Sequence, residues 1–315
     1  MKARHQMPDL SDALKFQKKM TAAEAAYLKQ MRAYRTETRK VLLDILARDG
    51  VTRVGVRQMV NAIADLSRNI QTAGSASSRE VRKHVANYMR RNAEMARRAK
   101  LTDSADIAPV LNAGSQIAQD GEQSYMTNTS AWISQLETSL QTQAAKLRIS
   151  NASRDEQIDR LLSENLADGR ASVWLANTNQ AASEETTNLW TYGVGLLGAY
   201  LSIYNEQQGE TYKKQVVATI DDRTTDCCLR VHGQIQPLDE PFQLTGTPRF
   251  ADEVQDPPFH WYCRTAEALY HESFEEIGIP TSAMQEAASV ELEARERTKT
   301  RVPIYPSHAT ARRGG

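Results

Sequence analysis

The chain has 315 residues, 40% hydrophobic and 25% charged, with three cysteines, and its 39 basic and 39 acidic side chains cancel. That length allows two or three domains with a sizeable core, and the composition excludes a membrane-embedded chain, a disordered one and a disulfide scaffold. The zero net charge hides an asymmetry: residues 1–100 hold 22 Lys and Arg against 9 Asp and Glu, residues 101–290 hold 11 against 27, and the last 25 hold 6 against 3. A basic module beside an acidic one suits nucleic acid or an acidic partner surface; it equally suits helices that solvate their outer faces.

The N-terminus, MKARHQMPDLSDALKF, lacks the apolar core of a secretory signal. The longest apolar stretch, 192–204, is 13 residues with three glycines, short of the roughly 20 that a membrane span needs. Two of the three cysteines are adjacent, which fits a reducing compartment, so synthesis in a cytoplasm is expected.

In chain order, residues 10–48 predict a long helix from the recurrence of Leu14, Met20, Tyr27, Met31, Tyr34, Val41, Leu42 and Ile45, with Gly50 as its stop. Residues 54–72 predict a second helix, ended near Gly74, and 78–100 a third, capped by Ser77 or Ser78. The third carries Arg79, Arg82, Lys83, Arg90, Arg91, Arg97, Arg98 and Lys100 around an apolar stripe of Val81, Val85, Tyr88 and Met89. A looser stretch at 101–121 precedes helices at 122–148, at 154–167 (opened by a capping pattern at Ser153–Glu156 and closed by Gly169) and at 183–207. The β-branched run 216–220 predicts the first strand, a turn-rich region reaches Pro258, and helical patterns return at 265–278 and 283–297 before an extended, weakly basic tail. The expected fold is mainly α with a small loop-rich β unit. Its divisions are a basic helical region at 1–121, a domain at 122–282 with its core at 216–265, and a terminal helix with tail at 283–315.

Gly193, Gly195 and Gly198 spell the glycine pattern of a dinucleotide loop, but no strand precedes them. Close packing of a helix against a neighbour explains them better. Glu291 and Glu293 do not share a helix face, so a solvated surface is the better account of that pair.

All three cysteines lie between 227 and 263. Cys228 and His232 are four apart, His260 and Cys263 three apart, with 27 residues between the pairs. Two short Cys/His pairs joined by a loop are what a tetrahedral zinc site requires. The ligands would be Cys228, Cys263, His260 and either His232 or Cys227. The same residues also read as small buried hydrophobes beside a hydrogen-bonded core histidine, the simpler account. A Cys–His nucleophile pair, with Asp222 or Asp226 as orienter, is a third reading and needs a cleft.

DDRTTDCCLRVHG (221–233), followed by DPPFHWYCRT (256–265), resembles the phage head morphogenesis family, the minor head proteins that are similar to the F protein of phage Mu. Asp221 or Asp222, Arg223, Thr224, Cys228, Gly233, Pro257, Pro258, His260, Cys263 and Arg264 fall on the family's pattern. Thr225 and Thr265 stand where the family carries its first and last cysteines, which weakens any metal or disulfide carried over.

Read without the family, Asp222, Arg223, Thr224, Gly233, Pro258 and Arg264 make a structural motif in which Arg264 binds Asp221, Asp222 or Asp226. The loop 234–255, 22 residues long, is a candidate contact surface. The resemblance implies a non-enzymatic virion protein of a tailed phage, inside the capsid near the portal. It would be assembled in the host cytoplasm and act in head assembly, DNA packaging or DNA ejection. The portal protein is the implied partner, with scaffold or major capsid protein and non-specifically bound packaged DNA beside it, and no membrane. Arg90, Arg91, Arg97 and Arg98 are the candidate DNA or portal contacts. The alternatives are a cysteine- or metal-dependent hydrolase built on Cys228, His260 and Cys263, and a DNA-binding accessory protein.

Overall fold

Long runs with apolar residues three and four apart have only one way to bury them, and in a computed structural model of the chain they form helices. The structure describes residues 10–166, 173–209, 212–221, 224–244, 253–260, 263–276 and 281–298. The helices are α1 (Leu10–Asp49), α2 (Arg53–Arg98), α3 (Ala108–Ala113), α4 (Ser115–Arg148), α5 (Arg154–Leu161) and α6 (Val173–Gln208), with a π-helical turn at Leu162–Leu166. Strand β1 (Lys213–Val217), α7 (Asp226–Arg230), β2 (Ile235–Pro237), β3 (Phe242–Gln243), β4 (Glu253–Val254), β5 (Ala266–Tyr270), α8 (Ser273–Glu276) and α9 (Thr281–Thr298) follow. The fold is mainly α with a small antiparallel β unit, as expected. No described helix is long and apolar enough to cross a membrane.

The chain divides into two compact units, each drawing on several stretches. One contains 24–78 and 122–188. Its core holds Met31, Leu42, Met59, Ile63, Leu136 and Leu140, all fully buried or nearly so. Gly50 ends α1 with a φ of +62° and donates its N–H to the Leu46 carbonyl at 2.9 Å, a left-handed residue that glycine takes without penalty. A buried ion pair joins Arg35 to Glu185, with the guanidinium 5.0 Å from the centre of the Trp132 ring. Burial pushes the Glu185 carboxyl up to about 7 despite Arg35. Ser153 accepts the Glu156 N–H and so caps α5.

Several expectations fail here and in the sheet: α4 starts at Ser115 rather than 122, and the strand expected at 216–220 is β1 at Lys213–Val217. Gly74 and Ser75–Ser78 do not break α2, which runs through them as one 46-residue helix. The bare face of Gly74 receives Met126, whose Sδ lies 2.6 Å from where a Cβ would sit, and Ser78 turns its hydroxyl back to the Ser75 carbonyl. Helix α6 begins at Val173 rather than 183, and it buries polar residues such as Glu185 and Thr186 inside this unit. AEALY (266–270), made of helix formers, is strand β5, with all five residues buried. Gly169 and the tail lie outside the described residues.

The other unit contains 1–23, 79–121 and 189–315. Its sheet has the order β2–β1–β5, with β1 antiparallel to both neighbours, and β3 pairs β4 separately. The β1–β5 register sets Lys213 against Tyr270 and Val217 against Ala266. Two N-terminal residues tie into this sheet. Gln17 donates its amide to the Val217 carbonyl and accepts from Thr219 Oγ1 at 3.0 Å. Asn92, fully buried, accepts the Leu269 N–H at 3.0 Å along the outer edge of β5. Gly193 packs against Met20 and Val81, whereas Gly195 faces open space. The glycine trio is therefore a packing feature in part, and no strand precedes it among the described residues.

Candidate functional site

The chain leaves β1 through Ala218 and Thr219 and doubles back in a polar turn. Thr224 closes it: its N–H donates to the Asp221 carbonyl at 3.1 Å, and its hydroxyl reaches the Thr219 carbonyl and Asp221 Oδ1. Arg264 comes across from the second half of the motif and donates to the same Asp221 carboxylate at 2.6 Å. Asp222 and Arg223 lie outside the described residues. Thr225, extended, opens the single helical turn α7, which carries Cys227 and Cys228 inward. Gly233, at a φ of +83°, ends this segment by donating its N–H to the Val216 carbonyl at 2.9 Å. A side chain there would be strained and would also meet Met284 and Gln285.

The return path runs through a cis peptide between Pro257 and Pro258 to His260, whose carbonyl accepts the Cys263 N–H at 3.1 Å. These two turns bring five side chains together. Cys228 Sγ lies 3.0 Å from His260 Nε2 and 3.6 Å from Cys263 Sγ. Thr225 Oγ1 is 2.8 Å from His260 Nε2, 2.9 Å from Cys227 Sγ and 3.4 Å from Cys228 Sγ. The ligand atoms of Cys227, Cys228 and His260 all lie within 4.8 Å of one another. None of the five is more than 4% exposed, and Val216, Ala218, Val231, Phe242 and Phe259 wall them in.

Burial pushes the Cys263 thiol up to about 12, with Cys228 adding to the effect. Burial also works against charge on His260, but the Cys228 and Cys263 sulfurs outweigh it and hold the ring well above its usual value. His232, the alternative fourth ligand, does not join the group. Its Nδ1 accepts the Ala218 N–H at 2.9 Å, and its buried Nε2 has no partner among the described residues. Burial lowers it to about 4, so the ring is neutral and serves the backbone that leaves β1.

Sequence reasoning missed Arg295, which lies on α9 far from the motif. It is 7% exposed and donates to the carbonyls of Thr224 (2.7 Å) and Asp221 (2.8 Å), to Asp226 Oδ1 (3.0 Å) and to Glu291 (2.8 Å). Its spacing with Glu291 looks like an ordinary surface pair, and nothing local marks it as buried. Lys214 was also missed: 1% exposed, it donates to the Gln255 carbonyl and Asp256 and sits 4.9 Å from the centre of the Phe242 ring.

Residues 127–268, just under half the chain, match the family model described as Phage Mu protein F like protein. The segment is Mu F-like. The match points to a phage head morphogenesis protein. No curated protein and no solved structure matches the chain significantly. The Mu F-like segment includes β1, α7, the cis-proline return and most of β5, while Arg295 and the basic stretch of α2 lie outside it.

The candidate contact arginines sit on that stretch. Arg97 and Arg98 both pair with Glu94, at 2.6 and 3.3 Å. Arg90 donates to Asn87 at 2.9 Å. Arg90 and Arg91 line a pocket of about 540 Å³ together with Lys15, Lys19, His84 and the stacked rings of Phe16 and Tyr88.

Proposed function

We propose that this protein is a minor head protein of a tailed phage, held inside the capsid near the portal, where it acts in head assembly, DNA packaging or DNA ejection. The observation that carries this reading is the family match over 127–268. The buried cysteine–histidine cluster supports a structural role over a hydrolytic one. Cys228 and His260 touch as a nucleophile and its base would, but at 1% and 2% exposure they offer a substrate no approach. The cationic rim of Lys15, Lys19, Arg90 and Arg91 suits packaged DNA or an acidic portal surface. No base-reading motif accompanies it, so DNA contact is non-specific and salt-sensitive.

The test is co-expression with the portal protein of the same phage and affinity capture through a high-salt wash. Stoichiometric retention is expected. A folded, monodisperse protein that the portal does not retain would overturn the placement near the portal. Replacing Arg90 and Arg91 with Gln reduces the salt slope of DNA binding if this rim faces DNA; an unchanged slope assigns the rim elsewhere.

A further inference from the structure

The cluster beneath α7 holds more ligand chemistry than a core needs. Cys227, Cys228 and His260 bring their ligand atoms within 4.8 Å of one another, and Cys263 Sγ lies 3.6 Å from Cys228 Sγ, among apolar walls where valine and alanine would pack with no polar atoms to satisfy. We infer that Cys227, Cys228, His260 and Cys263 form a closed, structural zinc site, with the Thr225 hydroxyl as its outer-shell partner.

The distances support the size of the ion. Around a tetrahedral zinc, with Zn–S of about 2.3 Å and Zn–N of about 2.05 Å, two sulfurs lie about 3.8 Å apart and a sulfur and a nitrogen about 3.6 Å. The Cys228–Cys263 separation is 3.6 Å and the Cys228–His260 separation is 3.0 Å. Small outward movements, about 0.2 Å and 0.6 Å, bring these two separations to the metal's size, while Cys263, outside the group whose ligand atoms lie within 4.8 Å of one another, must close on the others. A disulfide would instead need the two sulfurs to close to about 2.05 Å.

Cys227 supplies the fourth ligand, because its Sγ lies within 4.8 Å of both Cys228 Sγ and a ring nitrogen of His260. Thr225 Oγ1 touches three of the four ligands. When zinc takes His260 Nε2, this hydroxyl turns its proton to a thiolate, the usual task of an outer-shell donor. Thiolate and imidazole donors in tetrahedral array select zinc over harder cations. Burial of every ligand leaves no open coordination position, which marks the site as structural rather than catalytic.

The inference stands on this geometry alone, and its failure would leave the head-protein reading untouched. The test uses the full chain purified without chelators. Elemental analysis is expected to find one zinc per chain, and the cobalt-substituted protein to show the intense visible absorption of a tetrahedral site with thiolate charge-transfer bands. A strong chelator should lower the melting temperature, and added zinc should restore it. Thr225→Ala should weaken zinc binding 10–100-fold in competition with a chromophoric chelator. Cys227→Ser should remove about one third of the thiolate charge-transfer intensity; an unchanged spectrum overturns Cys227 as the fourth ligand. If Cys228→Ser fails to fold, the wild-type cobalt spectrum still decides. Zinc well under one equivalent after incubation with the metal, with a melting temperature indifferent to chelator, overturns the site.

Discussion

Replacing Arg295 with Ala removes the side chain by which α9 holds Asp221, Thr224 and Asp226. Two acceptors it leaves are backbone carbonyls: that of Asp221 keeps the Thr224 N–H, whereas that of Thr224 loses the donor it had. An orphaned buried polar group costs about 1–3 kcal/mol, and the Thr224 carbonyl is one such group. The carboxylates add little, because Asp226 is 52% and Glu291 33% exposed, and such pairs contribute about 0–1 kcal/mol each. The expected loss is about 1–5 kcal/mol, set against a typical folding free energy of about 5–15 kcal/mol. Arg295→Lys keeps the charge but lacks the planar fork that spans the separate acceptors, and should recover no more than about half. Urea denaturation measures the shift in midpoint at constant slope, and amide exchange of 219–231 reports the turn itself. Arg297→Ala, on the exposed side of the same helix, is the control, expected within about 0.5 kcal/mol of wild type. An Arg295→Ala protein as stable as that control would refute the clamp.

Other perturbations separate neighbouring effects. His232 is held near 4 against an ordinary value of 6.5, so the folded protein takes up a proton less readily than the unfolded chain. Its contribution is complete above pH 6.5 and is lost as pH falls toward 4, about 3 kcal/mol in all. His232→Gln should flatten the stability profile across that window, and an unaltered profile would show that His232 is not its source. Asn92→Ala strips the Leu269 N–H of its acceptor at the edge of β5 and should cost about 1–3 kcal/mol, read as faster exchange of that amide; unchanged exchange would discount the tie. Gly195→Ala meets nothing within 4 Å and should stabilise by about 0.5–1 kcal/mol. Gly193→Val, pressed on Met20 and Val81, should destabilise by about 1–3 kcal/mol. Equal melting temperatures for the two glycine variants would dismiss the packing role of Gly193.

The helices were legible because a 3.6-residue apolar period is written directly in the sequence, and the stop at Gly50 follows from local chemistry. The continuity of α2 through Gly74 was not legible, since Met126 fills the gap from a different helix. Strand β5 was hidden for a related reason. AEALY favours helix by itself and becomes strand only because β1 offers it five paired residues. At the site, the Cys/His spacing pointed to the turns that converge. It could not separate His232 from Cys227, because the choice depends on how α7 and the turn after it orient these side chains. Arg295 left no local trace, since its acceptors lie about 70 residues earlier.

The order of strands has a consequence for how the chain is made. The unit built from 24–78 and 122–188 has all its residues once position 188 has been synthesised. The other cannot close its sheet until β5 emerges, and cannot secure the turn beyond β1 until Arg295 follows. At about 5–20 residues per second the ribosome needs roughly 5–20 s to cover that interval. Gln17 and Asn92, made before it begins, wait into that interval for partners that lie 200 and 177 residues downstream. Contacts of such long range make this the slow half of folding, and a nascent chain stalled near residue 250 would carry one finished unit and a central strand still without its β5 neighbour.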